Sequence, residues 1–227
     1  MFDVIPGIKA VLFDLDGTLL YTIEDIRDSM NAVLERMDLP TYPTDRYYYF
    51  VGRGVRDLVI DVLPHHLQSE KSIAAGVEGF RAEYAQRWFQ HSVPYPGIPE
   101  TLDRLFAKPN LKIGILSNKP QDFAEEMVAR LLPRWTFHGI VGASPKHPIK
   151  PDPTGGLQLI ESWGIESKRT VMVGDSDIDI KTARNMGAHG VGVSWGFRPI
   201  SELITTGAEL ILDEPKEILR KRIDSRR

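Results

Sequence analysis

The sequence predicts an α/β protein: a doubly wound, mostly parallel sheet of Rossmann-like type, with a helical cap inserted after the first strand. Three observations predict it. Short apolar runs recur along the 227 residues, with helical patterns between them. Two of these runs, Ile113–Leu116 and Val171–Val173, are almost continuously apolar, as in strands covered on both faces. A long stretch after the first run has helical periodicity and no comparable strand.

The elements follow in chain order. Ala10–Phe13 is the first strand. Thr22 with Asp25 three residues on reads as a capping box, with Asp in place of the usual Glu. Ile23, Ile26, Met30, Val33, Leu34 and Met37 then line one helical face. Gly54–Val62 and Lys71–Gln90 are further helical pieces, and the chain returns through VPYPGIPE. This divides the chain into a core of residues 1–20 and 92–227 and a cap of residues 21–91. A cap so placed sits above the carboxyl ends of the strands, where open α/β sheets bind ligands, and is a candidate lid. Trp88 and Phe89 read as packing within it.

The core resumes with the strand Lys112–Leu116. Pro120–Leu132 is a helix with Phe123, Met127, Val128 and Leu131 on one stripe and Pro120 in its first turn. Gly139–Val141 and Thr170–Val173 are strands. Ser176–Met186 is a helix closed by Gly187. Gly190–Val193 and Leu210–Leu212 complete the set. The alternation argues for right-handed crossovers. The end of the chain, EPKEILRKRIDSRR, reads as a charged, solvated helix.

Bulk properties narrow the function. Lys and Arg total 28 against 31 Asp and Glu, a net charge of -3, which gives no support for a nucleic-acid partner. With no cysteine, thiol catalysis, disulfides and Cys-ligated metals are excluded. No apolar run reaches the ~18 residues a membrane helix needs. The first residues, MFDVIPGIKA, lack a signal-peptide apolar region. The expectation is a cytoplasmic protein, monomer or homodimer, acting on a small molecule.

The chemistry lies at the strand ends. In VLFDLDGTLL, Asp14 and Asp16 close the first strand. A calcium loop fits poorly, because Gly17 and Asp25 fall at loop positions 4 and 12, where an EF-hand wants Gly at 6 and Glu at 12. A solvated turn is the plainer alternative. In VMVGDSDIDI a second apolar strand ends in Asp175, and Asp179 follows one helical turn later. Carboxylates from two parallel strands in one cleft are intelligible if a cation neutralises them, and an all-oxygen set suits Mg²⁺. Ser117 and Asn118 in ILSNKP offer a hydroxyl and an amide to anionic oxygens. The next residue, Lys119, reads as an ordinary surface lysine. In IKPDPTGG, Lys150 lies between two prolines that restrict its backbone. A lysine held there balances an attacking carboxylate and a phosphate; Lys146 competes by charge alone. The histidines read as surface or structural residues.

DLDGT, the Ser117 step, Lys150 and GDSDID, in this order, resemble the four motifs of the haloacid dehalogenase-like hydrolase superfamily. The resemblance spans essentially the whole chain. It implies that Asp14 is the nucleophile and Asp16 the general acid, then base. Thr18 would support the loop around them. Ser117 would bind the phosphoryl group and Lys150 would orient Asp14. Asp14, Asp175 and the Asp16 carbonyl would ligate Mg²⁺, with Asp179 supporting the metal or its waters. Dehalogenases of this superfamily lack the second acid, so Asp16 favours phosphate-ester chemistry. YFVGRGVRDLV, the re-entry PYPGIPETLDRLF and the SNKP form resemble the phosphoglycolate phosphatase branch. On that likeness Arg53 or Arg56 would meet a substrate carboxylate. The chain departs from many relatives in having Tyr21-Thr22 after the first motif, where they carry Asp-Ser. The expected activity is Mg²⁺-dependent phosphomonoester hydrolysis of a small anionic metabolite, with 2-phosphoglycolate the first substrate. The alternatives are a sugar-phosphate phosphatase, a pyrophosphatase, a phosphomutase, or a non-catalytic phosphate-sensing or protein-binding module.

Overall fold

The computed structural model describes residues 5–219. Six strands form one parallel sheet: β1 (Ala10–Phe13), β4 (Lys112–Pro120), β5 (Gly139–Ala143), β6 (Thr170–Gly174), β7 (His189–Val193) and β8 (Leu210–Leu212). Their order is β5-β4-β1-β6-β7-β8. β1 therefore lies between β4 and β6, with Phe13 level with Ile115 and Val173. This register is what brings three strand ends together.

Side-chain alternation along β1 sends Val11 and Phe13 into one apolar layer and Ala10 and Leu12 into the other. The first layer holds Ile113, Ile115, Val171 and Val173, together with Phe123 and Met127 of α6 (Gln121–Leu131). The second holds Leu159 and Ile160 of α7 (Thr154–Ser162) and Ala183 and Met186 of α8 (Asp177–Met186). Both faces are covered, which explains the continuous apolar runs. α5 (Ile98–Phe106) and α9 (Ile200–Thr206) complete the layers.

Between β1 and α5 the chain makes the helical insertion. It leaves through β2 (Leu20–Tyr21) and returns through β3 (Val93–Pro94), which pair antiparallel. The insertion contains α1 (Ile23–Arg36), α2 (Thr44–Phe50), α3 (Val55–Val62) and α4 (Glu70–Arg87). Its interior packs Met30, Tyr47, Leu58, Val59, Phe80 and Tyr84 in the same apolar layer as Phe123. No helix among the described residues is long and apolar enough to cross a membrane.

Two local expectations are corrected. Thr22 stands at the N-cap of α1 but makes no capping bond. Its hydroxyl donates to Asp16 instead, at 2.7 Å. Asp25, the other half of the expected box, is buried and turns to the returning chain. It accepts the His91 and Ser92 main-chain N–H groups and the Ser92 hydroxyl at 2.7–3.1 Å. A buried carboxylate needs several donors, and the chain beside it supplies them. Pro120 ends β4 and precedes α6 rather than lying in its first turn. Of the expected C-terminal helix, Pro215–Leu219 is a short 3₁₀ turn, and residues 220–227 lie outside the described residues.

Candidate active site

The carboxyl ends of β4, β1 and β6 are neighbours, so their terminal residues share one cleft. β1 delivers Asp14 and Asp16, β4 delivers Ser117, Asn118 and Lys119, and β6 delivers Asp175. The first turn of α8 adds Asp179, and the loop before α7 adds Lys150. Carboxylate oxygens of Asp14, Asp175 and Asp179 lie within 4.8 Å of one another, all buried.

Each of these groups is held by named partners. The Lys150 ammonium donates to Asp14 at 2.8 Å and to Asp179 at 2.6 Å. Asp179 also closes the capping box of α8, accepting the Ser176 N–H and hydroxyl at 3.1 and 2.7 Å. Asp175 accepts the Phe197 N–H at 2.7 Å and the Thr18 hydroxyl at 3.2 Å. Two glycines make room for it. Gly17 has φ +85°, and a Cβ there would lie 2.5 Å from an Asp175 oxygen. A Cβ at Gly196 would come within 2.1 Å of the Asp175 Cβ. A side chain at either position would strike the carboxylate.

Asp16 stands apart from the trio. It accepts the Lys119 ammonium at 2.9 and 3.0 Å and the Thr22 hydroxyl at 2.7 Å. The Ser117 hydroxyl accepts the Lys119 N–H at 3.2 Å. Asn118 is a tie between segments. Its amide donates to the carbonyls of Gly52 and Lys150, and its oxygen accepts the Lys150 N–H at 2.6 Å. It thereby joins the core strand to the lysine loop and to the turn after α2.

Burial raises the Asp14 pKa to about 6, aided by the Asp179 and Asp16 charges and opposed by Lys150. Asp175 is raised well above the ordinary carboxylate range by burial and by Asp179 and Asp14. Burial opposes charge on Lys150 and Lys119, but their carboxylate partners outweigh it, so both are pushed upward and stay protonated. Three carboxyl groups thus face one ammonium, and burial resists the ionisation of Asp14 and Asp175. Buried oxygen ligands with an unmet need for positive charge are the chemistry of a Mg²⁺ site, and Asp14, Asp175 and Asp179 fit one.

The structure brings together Asp14, Asp16, Thr18, Ser117, Asn118, Lys150, Asp175 and Asp179. It does not bring Arg53 and Arg56 with them. Arg53 pairs with Asp57 and Asp61, and Arg56 with Glu70, on the exposed side of α3. Neither lines the cavity between insertion and core, although Gly52, Gly54 and Val55 do. Both long side chains turn instead to carboxylates of α3 and α4.

Three contributors were not foreseen. Lys119 is buried rather than a surface lysine, and besides Asp16 it meets the Tyr84 ring at 4.7 Å. Ser117 and Lys119 are two apart on an extended strand, so they share a side, and that spacing was the available signal. Thr22 reaches Asp16 across the exit from the core. Arg198 lines the cavity, paired with Glu202 and donating to the Tyr48 carbonyl at 3.2 Å.

A parallel α/β sheet with a buried carboxylate trio at its strand ends fits a phosphatase of the haloacid dehalogenase type, and comparison with known proteins agrees. Residues 11–193 match the model of the family described as haloacid dehalogenase-like hydrolase, and the chain belongs to that family. It is 31% identical over 212 residues to a phosphoglycolate phosphatase of Aquifex aeolicus, covering 93% of this chain and 95% of the relative. It is 34% identical over 219 residues to an N-acetylmuramic acid 6-phosphate phosphatase of Pseudomonas aeruginosa, covering 93% of each. A crystal structure described as a predicted phosphoglycolate phosphatase from Haemophilus somnus superposes with a TM-score of 0.87 at 25% identity, covering 94% of this chain and 97% of that one.

Proposed function

We propose that the protein is a Mg²⁺-dependent phosphomonoester hydrolase working through an aspartyl-phosphate on Asp14. The observation that supports it most is the separation of the two first-strand carboxylates. Asp14 belongs to the Lys150–Asp175–Asp179 cluster, while Asp16 is held apart by Lys119 and Thr22. Two acids in different surroundings take different tasks.

Asp14 attacks phosphorus through a carboxylate oxygen, and the ester P–O bond breaks. Asp16 gives a proton to the departing alkoxide. It then takes one from the water that attacks the acyl-phosphate, and the bond between phosphorus and Asp14 breaks to release inorganic phosphate. Lys150 keeps Asp14 oriented throughout. Ser117 and the main-chain N–H groups at the end of β4 bind the phosphoryl oxygens. Asp14, Asp175 and Asp179 would hold Mg²⁺ with the Asp16 carbonyl, and the ion supplies positive charge against that of the phosphate.

2-Phosphoglycolate is the first substrate to assay, supported by the cap sequence and by the Aquifex relative. A sugar phosphate is the second reading, favoured by the 34% identical Pseudomonas relative. The test is phosphate release from a panel of phosphorylated metabolites, with Mg²⁺ and with chelator. Metal-dependent release is expected. Absence of turnover on every member overturns the reading.

A further inference from the structure

The cavity between insertion and core has a charged floor and an apolar wall. The floor is Asp14, Asp16, Ser117 and Asp175. The wall is built by Ile26 of α1, Val55 and Leu58 of α3, Phe80 of α4 and Phe123 of α6. The side chain that leaves with the substrate's alcohol oxygen must meet this wall, because the floor takes the phosphate. Among the described residues two cationic side chains line the cavity, Lys119 and Arg198, and each is already matched, to Asp16 and to Glu202. Arg53, in the turn before α3, and Arg56 of α3 pair with carboxylates outside it. A second carboxylate on the substrate would be buried against hydrocarbon with no unmatched cation beside it, which is costly.

We propose that the natural substrate is the phosphomonoester of an alcohol with an aliphatic or aromatic face, and that this face packs on Ile26, Val55, Leu58, Phe80 and Phe123. The proposal rests on the phosphatase reading of the site and moves its substrate class away from small dianionic acids such as phosphoglycolate. The insertion is held shut over the wall by polar contacts at the rim: Asn118 to the Gly52 carbonyl and Arg198 to the Tyr48 carbonyl. The apolar surface is thereby sealed from water once an alcohol group covers it, and burying that group favours the bound ester.

The experiment is the kcat/KM of the purified full chain, with Mg²⁺, on n-alkyl monophosphates from ethyl to hexyl and on 2-phosphoglycolate. Leaving-group basicity barely changes along the alkyl series, so the trend reads packing. A rise of roughly threefold to fourfold per methylene is expected until the wall is covered, with phosphoglycolate below propyl phosphate. Leu58→Ala, checked for folding by circular dichroism, should lower the hexyl-to-ethyl ratio about tenfold. A flat alkyl series, or phosphoglycolate above every alkyl ester, overturns the apolar assignment and leaves the phosphatase reading standing. No metal-dependent release from any ester brings down both.

Discussion

The two sides of the cavity are built on opposite principles. At the strand ends the charged groups are tied, and all but the half-buried Asp16 are buried: Lys150 to Asp14 and Asp179, Lys119 to Asp16, Thr18 and Phe197 to Asp175. On the side of the insertion the surface is hydrocarbon, and its arginines pair with exposed carboxylates outside. The floor is rigid because unpaired buried charge is intolerable, so each partner fixes the next. The wall has no such constraint, since apolar contact is non-directional and depends on area. The floor thus depends on particular partners, and the wall on the area it presents.

This contrast can be broken at several strengths. The largest effect belongs to Asp14→Asn, which should cut turnover by at least about 10⁴-fold while circular dichroism stays native. An unchanged rate removes Asp14 as nucleophile. Lys150→Met comes next, because it strands Asp14 and Asp179. A loss of about 3–5 kcal/mol in denaturant midpoint measurements without metal is expected, and a stability equal to wild type would show that the ion pair is not what holds the floor.

The metal-free protein should also respond to pH through Asp14. Its pKa is raised from 3.8 to about 6 by burial, so the folded state holds the proton more tightly than the unfolded one. The stability this proton confers is complete below about 4 and is lost as pH rises through about 6. With chelator, Asp14→Asn should therefore gain on wild type by roughly 3 kcal/mol between pH 4 and 7, read as a difference of unfolding free energies. Mg²⁺ binding, which needs the carboxylate, should weaken as pH falls below 6 in a calorimetric titration. A pH-independent difference would deny Asp14 its buried, raised state.

Lys119→Met sharpens the division between the two acids. It removes the partner of Asp16 without touching the trio, so kcat should fall about 100-fold with Mg²⁺ affinity unchanged. A fall in metal affinity instead would place Lys119 in the wrong cluster. The smallest effect is expected on the outer face of the insertion. Arg53→Ala and Arg56→Ala break exposed pairs, which solvent screens to little effect. Their kcat/KM on 2-phosphoglycolate should stay within about twofold of wild type. A large rise in KM for that substrate would show that these arginines reach inward after all.

What could be read from the residues depended on the kind of signal. The six sheet strands were legible because burial on both faces leaves continuous apolar runs such as Val171–Val173. The two-residue strands β2 and β3 were not, since two residues carry no period. The helices of the insertion were legible in part. Ile23 to Met30 has a clear apolar stripe, whereas Thr44–Phe50, with three consecutive tyrosines, has none. Asp14, Asp16 and Asp175 stood out because charge at the end of an oily strand calls for an explanation. Lys119 did not, because a lysine beside a proline looks solvated until its partner is known. That partner, Asp16, lies 103 residues away in the chain.

The order of residues alone foretells the parallel sheet, the place of the helical insertion and the carboxylates that terminate β1 and β6. Those follow from local pattern: periodicity, strand-end charge and the order of four motifs. The packing of the folded chain settled which groups share a partner. It gave Thr22 to Asp16 rather than to its own helix, Asp25 to the chain returning at His91 and Ser92, and Lys119 to Asp16 at the floor of the cavity. It also turned Arg53 and Arg56 outward. The reason is physical. A buried polar group bonds to the nearest donor or acceptor in space, and nearness in space is set by how strands and helices pack rather than by spacing along the chain.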